Sequence, residues 1–349
     1  MALTVRRLGF CPVTLRVLWT LAAAFLLYRL REVLVLLVIS ILTAYVLLPV
    51  VNLVDRYLKS GRRRTIALAL VYVALVGVII AIASTVGVYA GRQATALLAR
   101  VKNMVSSGAG FQIPLPEFLK PYGDRILPEI GDYLKEHAQD IFQTLSGWTL
   151  RLLSGLSSLF ELVVVLILSF FFLKDGAAMT RGFLAALPAP AQPRASLILD
   201  QVGKALATYV RSMVLVALAS STLYILGLTL LGVPYAVLLG VIAFPFEFIP
   251  MVGPLTSGSI MVLTALFSGY YGVLWIIIFL LAVRAIQDYG LQPLLLGGEL
   301  ELSPMALVVG VLAGAALGGI VGAMLSVPTL AVARILLLNL VLRDEADTA

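Results

Sequence analysis

The sequence predicts an all-α polytopic membrane protein with about eight transmembrane segments, two broken helical hairpins and an extramembrane helical arm. Three observations carry that prediction. The 349 residues are 61% apolar and only 12% charged, half the charge of an ordinary soluble domain. Mean hydropathy is +1.06, so too little polar side chain exists to coat a water-soluble globule. The apolar runs are also continuous rather than alternating, which selects membrane helices over an outer-membrane barrel. A cytosolic enzyme and a disordered chain are both excluded by this composition.

The elements follow in order. The first apolar segment covers Val13–Leu30 and the second Val33–Val54, with Arg29, Arg31 and Glu32 between them. Arg6 and Arg7 precede the first segment as in a signal peptide, but no small-residue cleavage site follows, so it reads as retained. A basic loop, residues 55–64, sets Arg56, Lys59, Arg62, Arg63 and Arg64 against Asp55 alone. That loop belongs in the cytoplasm. The third span is Thr65–Tyr89.

Residues 90–150 change character. Seven Lys/Arg stand against six Asp/Glu from 92 to 151, and Pro114, Pro116, Pro121 and Pro128 break the middle. Beyond them Ile130, Leu134, His137, Ile141, Leu145 and Trp148 recur at steps of three and four, one apolar stripe on a helix. This segment reads as a helical arm outside the membrane on the far side. Lone His137 on its stripe is a packing residue, not a ligand.

The fourth span, Leu156–Leu173, ends at Lys174, Asp175 and Gly176, and a second basic region follows with Arg181, Arg194, Lys204 and Arg211. Residues 151–204 thus form a span and a cytoplasmic linker. Both basic regions inside put the N-terminus inside, and the net charge of +7 reflects this rule rather than nucleic acid. Arg29 and Arg31 then fall outside, where their stems snorkel.

A C-terminal membrane core is expected at 205–342, in two units, 205–268 and 271–342, followed by a polar tail at 343–349. The fifth span, Ala205–Leu231, ends at a Gly232-Val233-Pro234 turn, and the sixth is Tyr271–Leu296. Between them 235–268 is interrupted by Pro245, Pro250, Gly253, Pro254 and Gly258. The 38-residue run 305–342 would be about 57 Å as one helix, too long to cross once. Gly314, Gly318, Gly319 and Gly322 are where it breaks.

An internal repeat joins these units. Pro234, Ala236, Gly240, Val241 and Ala243 match Pro304, Ala306, Gly310, Val311 and Ala313 at identical offsets. The two broken segments enter from opposite sides in this topology, an inverted-repeat plan shared by many secondary transporters. Both a re-entrant and a fully crossing course fit them. Non-helical backbone at membrane depth must line protein or a wet cavity, so a binding site is expected around Pro250, Gly253, Pro254, Gly318 and Gly319.

Ionisable side chains inside a membrane are costly, and function is their default reading. Glu247, in Phe-Pro-Phe-Glu-Phe-Ile-Pro, reads as a proton or cation carrier, or else as a capping or interfacial carboxylate. Arg284 and Asp288 lie one turn apart and can neutralise each other; Gln287 and Gln292 could extend them into a polar site. Glu161 reads as interfacial. No HExxH, CxxC, GxSxG or P-loop occurs, and Cys11 is the lone cysteine. The sequence therefore predicts no enzyme, no metal site and no cofactor.

At these motifs the chain resembles the autoinducer-2 exporter family over roughly residues 15–342. The resemblance rests on Leu-Thr-Ala-Tyr-Val-Leu-Leu-Pro49-Val, Phe-Phe-Leu-Lys174-Asp175-Gly176, Leu-Gly232-Val-Pro234 and Phe-Ile-Pro250-Met-Val-Gly253-Pro254. It continues through Leu-Gln-Pro293, Leu-Ser-Pro304 and the glycine-rich stretch ending Ser326-Val-Pro328. Two positions depart: Glu247 stands between phenylalanines where the family commonly has Asn or a small residue, and Ser303 where it commonly has His. The resemblance implies a bacterial inner-membrane protein of eight spans and a homo-oligomer, with a pentamer as a candidate assembly. It implies export of a small polar molecule such as autoinducer-2, or Na⁺/H⁺ exchange. An oligomeric channel or scaffold using the arm is a third expectation.

Overall fold

The computed structural model describes residues 25–26, 29–58, 63–107, 136, 156–296 and 302–340. Every regular element among them is helical. The first apolar segment apart from its last residues, most of the arm including His137, Cys11, Glu299, Glu301 and the polar tail lie outside the described residues.

Helix α1 is Arg31–Tyr57, and α2, Arg63–Ile82, continues through a π-turn at Ala83–Gly87 into α3, Val88–Ser107. Helix α4 is Leu156–Ala185, and α5 is Gln192–Leu230. Two short helices follow, α6 at Ala236–Phe246 and α7 at Val252–Phe267. Helix α8, Val273–Ile286, runs through a second π-turn, Gln287–Leu291, into α9, Gln292–Leu296. Helix α10 spans Pro304–Leu340.

Six helical stretches are long and apolar enough to cross a membrane: α1, α2 with α3, α4, α5, α8 with α9, and α10. Their outward faces are densely apolar. Val73, Leu230, Trp275, Leu281 and Leu317 are all more than half exposed. In water such a surface would aggregate; in lipid it is the solvated face.

Several boundaries differ from those read off hydropathy. Helix α4 does not stop at Lys174–Gly176 but runs on to Ala185. Helix α5, at 39 residues, is about 58 Å long and overshoots a ~30 Å hydrocarbon layer. Its overhang carries the exposed Asp200–Lys204 ion pair at 2.7 Å. The third span passes into the beginning of the arm without a break. Hydropathy marks where a helix leaves lipid, and the backbone ladder continues into water regardless.

Helix α1 packs through Ser40, Ala44, Leu47 and Val51, spaced four, three and four apart. Against them lie Ala67, Leu68 and Val71 of α2 and Leu173 of α4. The Tyr72 hydroxyl and Ser169 Oγ join α2 to α4 at 2.7 Å. The central core sits elsewhere. There Tyr224 and Leu228 of α5 meet Ala236, Leu239 and Ala243 of α6, Met261 and Ala265 of α7, and Ile276 and Val283 of α8.

The two broken segments are both helical hairpins. Helices α6 and α7 form the first; at 11 and 16 residues they measure about 16 and 24 Å, each short of a full crossing. The second lies within α10, where Gly318 (φ −135°, ψ 16°) and Gly319 (φ 61°, ψ −144°) leave helical geometry. A Cβ on Gly314 would lie 2.4 Å from the Gly322 carbonyl oxygen, and one on Gly310 would meet the Leu330 side chain. Residues eight and twenty apart are far separated along a straight helix, so the chain folds back on itself at this glycine pair. The hairpins touch where Phe246 and Ile249 of the first pack on Val311 and Ala323 of the second.

Candidate functional site

The break between α6 and α7 places a carboxylate where the helical ladder ends. Pro245 lies inside the last turn of α6, and Glu247 follows its final residue. The chain then reverses through Phe248, Ile249, Pro250 and Met251. The Val252 N–H donates to the Pro250 carbonyl at 2.7 Å, and Met251 between them has φ 64° and ψ −50°. This is a γ-turn of the rarer, strained hand, on a non-glycine residue that is 56% exposed. Strain of this type concentrates at functional sites.

Gly253 closes the turn because nothing larger fits. A Cβ there would stand 1.7 Å from the Phe246 carbonyl oxygen. Its N–H donates to the Ile249 carbonyl at 2.9 Å. Pro250 and Pro254 flank it, both half-buried.

Glu247 is 7% exposed. The Gln287 side-chain N–H donates to its Oε1 at 3.1 Å, and the same amide nitrogen donates to Ser220 Oγ on α5. Gln287 is fully buried, and its amide oxygen has no partner. Ser221 Oγ and the Tyr209 hydroxyl are also buried without a partner. Tyr224, one turn beyond Ser220, interacts with both Glu247 and Gln287. The site therefore collects polar groups from three elements: Ser220 and Tyr224 from α5, Glu247 from the hairpin turn and Gln287 from the π-turn after α8. π-Turns inside helices recur at functional positions.

Arg284 and Asp288 form the expected pair, Nε to Oδ2 at 2.8 Å. Gln292 extends it, donating to Asp288 Oδ1 at 3.4 Å. The pair stands beside the Glu247 cluster and acts on it electrostatically. Arg284 also lines a cavity of about 740 Å³ between α7 and α8, together with Tyr224, Met251, Pro254, Ser259 and Leu281. Tyr224 is common to this cavity and to the carboxylate cluster.

The second hairpin contributes differently. Gly318 and Gly319 are exposed, and a Cβ on either would meet no atom within 4 Å. The structure thus brings together Glu247, Pro250, Gly253, Pro254, Arg284, Asp288 and Gln292, and leaves the two glycines away from them. Sequence reasoning passed over Ser220 and Tyr224. The available signal was the polar run Ser220-Ser221-Thr222 within an otherwise apolar span. Glu161 is exposed on α4. Among the described residues, no three His, Cys, Asp or Glu side chains gather as a metal cluster.

The base of the first hairpin is held from outside. Gln93 Oε1 on α3 accepts the Leu238 N–H in the first turn of α6 at 2.9 Å. Arg100 donates to the Ser268 carbonyl at the end of α7 at 2.8 Å. Between them Ala90, Ala94, Leu97 and Val101 pack on Leu238 and Phe267. One helix therefore satisfies orphan backbone groups at both ends of the hairpin.

Comparison with known proteins places the chain among transport proteins. The sequence model of one family, described as AI-2E family transporter, matches residues 15–342. The chain is 25% identical to YueF of Bacillus subtilis over 307 residues, 86% of this chain and 83% of that one. It is 27% identical to YhhT of Escherichia coli K12 over 315 residues, 87% and 84% of the two chains. A shorter match, 35% over 170 residues, links it to MT0215 of Mycobacterium tuberculosis and covers 48% and 46%. Each of the three is named as a candidate transport protein.

Proposed function

The chain belongs to the AI-2E transporter family, and we propose that it is a secondary exporter of a small organic molecule, autoinducer-2 or a compound like it, coupled to a proton gradient. Glu247 is the proton-bearing group. The observation that carries this reading is a buried carboxylate at the break of a helical hairpin, hydrogen-bonded to a buried amide and in no ion pair among the described residues. A carboxylate so placed takes up and releases a proton at modest cost, because neither state is locked by an opposite charge. The broken backbone on either side supplies polar groups at membrane depth.

Substrate enters this reading through the cavity that Tyr224, Pro254 and Arg284 share. Arg284, the charged residue in its lining, is paired with Asp288 rather than left to attract an anion, which suits a neutral polar molecule. The two hairpins, contacting through Phe246, Ile249, Val311 and Ala323, are the parts that move against each other. A re-entrant course for both fits their short arms, and the basic segments 55–64 and 181–211 orient the assembly in a bacterial inner membrane.

The test is efflux from proteoliposomes loaded with labelled autoinducer-2, with and without an imposed pH gradient. Saturable efflux that steepens with the gradient supports coupled export. Efflux in the Glu247→Gln variant that still steepens with the gradient removes Glu247 from the proton path. No efflux, alongside a lumenal pH signal driven by sodium alone, replaces export with cation exchange.

A further inference from the structure

The proton-carrier reading of Glu247 leaves one requirement unmet by the carboxylate alone. A group that changes charge in a water-poor site needs a hydrogen-bond donor when ionised and an acceptor when protonated. A fixed cation would satisfy only the first state. A backbone carbonyl would satisfy only the second.

We infer that Gln287 is the positioning residue that serves both states, by turning its amide half a revolution about the terminal bond as Glu247 gains or loses its proton. In the state seen, the amide nitrogen faces inward and divides its two N–H bonds between Glu247 Oε1 and Ser220 Oγ. Turned over, the amide oxygen would accept the Glu247 O–H and the Ser220 O–H at the same place. Each member of the row can play both parts: a carboxyl, an amide and a hydroxyl. The outward end of the amide meets no partner, so no hydrogen bond there fixes which end faces in.

Three placements support this role. Gln287 is fully buried, so no solvent competes for its bonds. It opens the π-turn Gln287–Leu291, and the following residue, Asp288, pairs with Arg284 on the flank of the cluster rather than with Glu247. The charged and titratable groups acting on Glu247 are Arg284 from α8, Asp288 from the π-turn after it and Tyr224 from α5. The two of opposite sign already neutralise each other, which leaves the amide, whose N–H bonds Glu247 directly, and the Tyr224 hydroxyl beside it to distinguish the two states of the carboxyl.

The inference rests on Glu247 carrying a proton, and the test separates the two claims without needing a substrate. The protein is reconstituted in lipid and titrated with pH under infrared spectroscopy. The band of the protonated Glu247 carboxyl is assigned by its loss in Glu247→Gln. In the native protein the Gln287 amide band, assigned by its loss in Gln287→Leu, should change across the same transition.

Gln287→Leu removes an N–H donated to the ionised carboxylate, the stronger of the two bonds. Its Glu247 midpoint should therefore move to higher pH by about one unit or more, a tenfold rise in proton affinity. Ser220→Ala keeps the Glu247 bond and should move the midpoint by less. A Gln287→Leu protein that retains the Glu247 band at an unmoved midpoint overturns the inference while sparing the carrier role. If that variant does not fold, the amide band assigned by isotope labelling decides instead: its indifference to the transition overturns the inference. A native protein with no band lost in Glu247→Gln overturns both.

Discussion

The two broken hairpins solve the same problem by different means. Each must reverse the chain among apolar helices, where open backbone groups are expensive. The first hairpin reverses with prolines, a γ-turn at Met251 and side-chain partners, and its arms pack against α3, α5 and α8. The second reverses with glycine backbone against glycine backbone, and its tip stands clear of other atoms. The hairpin that carries the carboxylate is therefore the one whose geometry is over-determined. The glycine hairpin is closed along its arms and free at its end, as a moving gate would be.

That contrast predicts a ranking of substitutions, read as the shift in thermal unfolding of the purified protein in detergent. Gly253→Ala should be the most damaging, because its Cβ would stand 1.7 Å from a backbone oxygen that cannot swing aside. The loss should reach or exceed the upper end of the ~1–3 kcal/mol typical of overpacking. Gly322→Ala comes next, at 2.1 Å from the Gly314 carbonyl oxygen. The whole second arm can retreat a little there, so the loss should sit lower in that range. A Gly253→Ala protein as stable as the native one would mean the first hairpin is no more constrained than the second.

The caps on the first hairpin come third. Gln93→Ala frees the Leu238 N–H, and Arg100→Ala frees the Ser268 carbonyl. Each should cost about 1 kcal/mol, the usual value of a helix cap or a single net hydrogen bond. Equal losses for residues on the far ends of one hairpin would sharpen the view that α3 holds it as a unit. A loss from only one would place the restraint at that end.

Much of this was legible in the sequence, and the remainder shows what one-dimensional patterns omit. Prolines and glycines announced both breaks because their backbone chemistry is local. Arg284 and Asp288 were legible as a pair because a four-residue step is one helical turn. Gln287 was visible only as a neighbour: its inward face depends on α5 and the hairpin turn packing against it. Ser220 and Tyr224 were hidden because a hydroxyl in an apolar span commonly bonds its own helix, as Thr222 does with the Leu218 carbonyl. The stripe Ala90, Ala94, Leu97 and Val101 was passed over because small residues give it little hydropathy, although small residues let helices approach closely.

The smallest expected effect, that of Gly318, lies at the tip of the second hairpin, where two adjacent glycines separate conformation from contact. Gly319 has φ 61° and ψ −144°, a region close to glycine-only, and alanine there should cost about 1–3 kcal/mol with no clash involved. Gly318, at φ −135° and ψ 16°, is tolerable backbone for alanine and has open space around it. Gly318→Ala should therefore fall within about 0.5 kcal/mol of the native protein. If the free tip is the moving part, the two variants should also differ in efflux, with Gly319→Ala slowed and Gly318→Ala unchanged. A strong loss at Gly318 would instead mean that something presses on the tip in the working protein, and a free gate would then be the wrong description of the second hairpin.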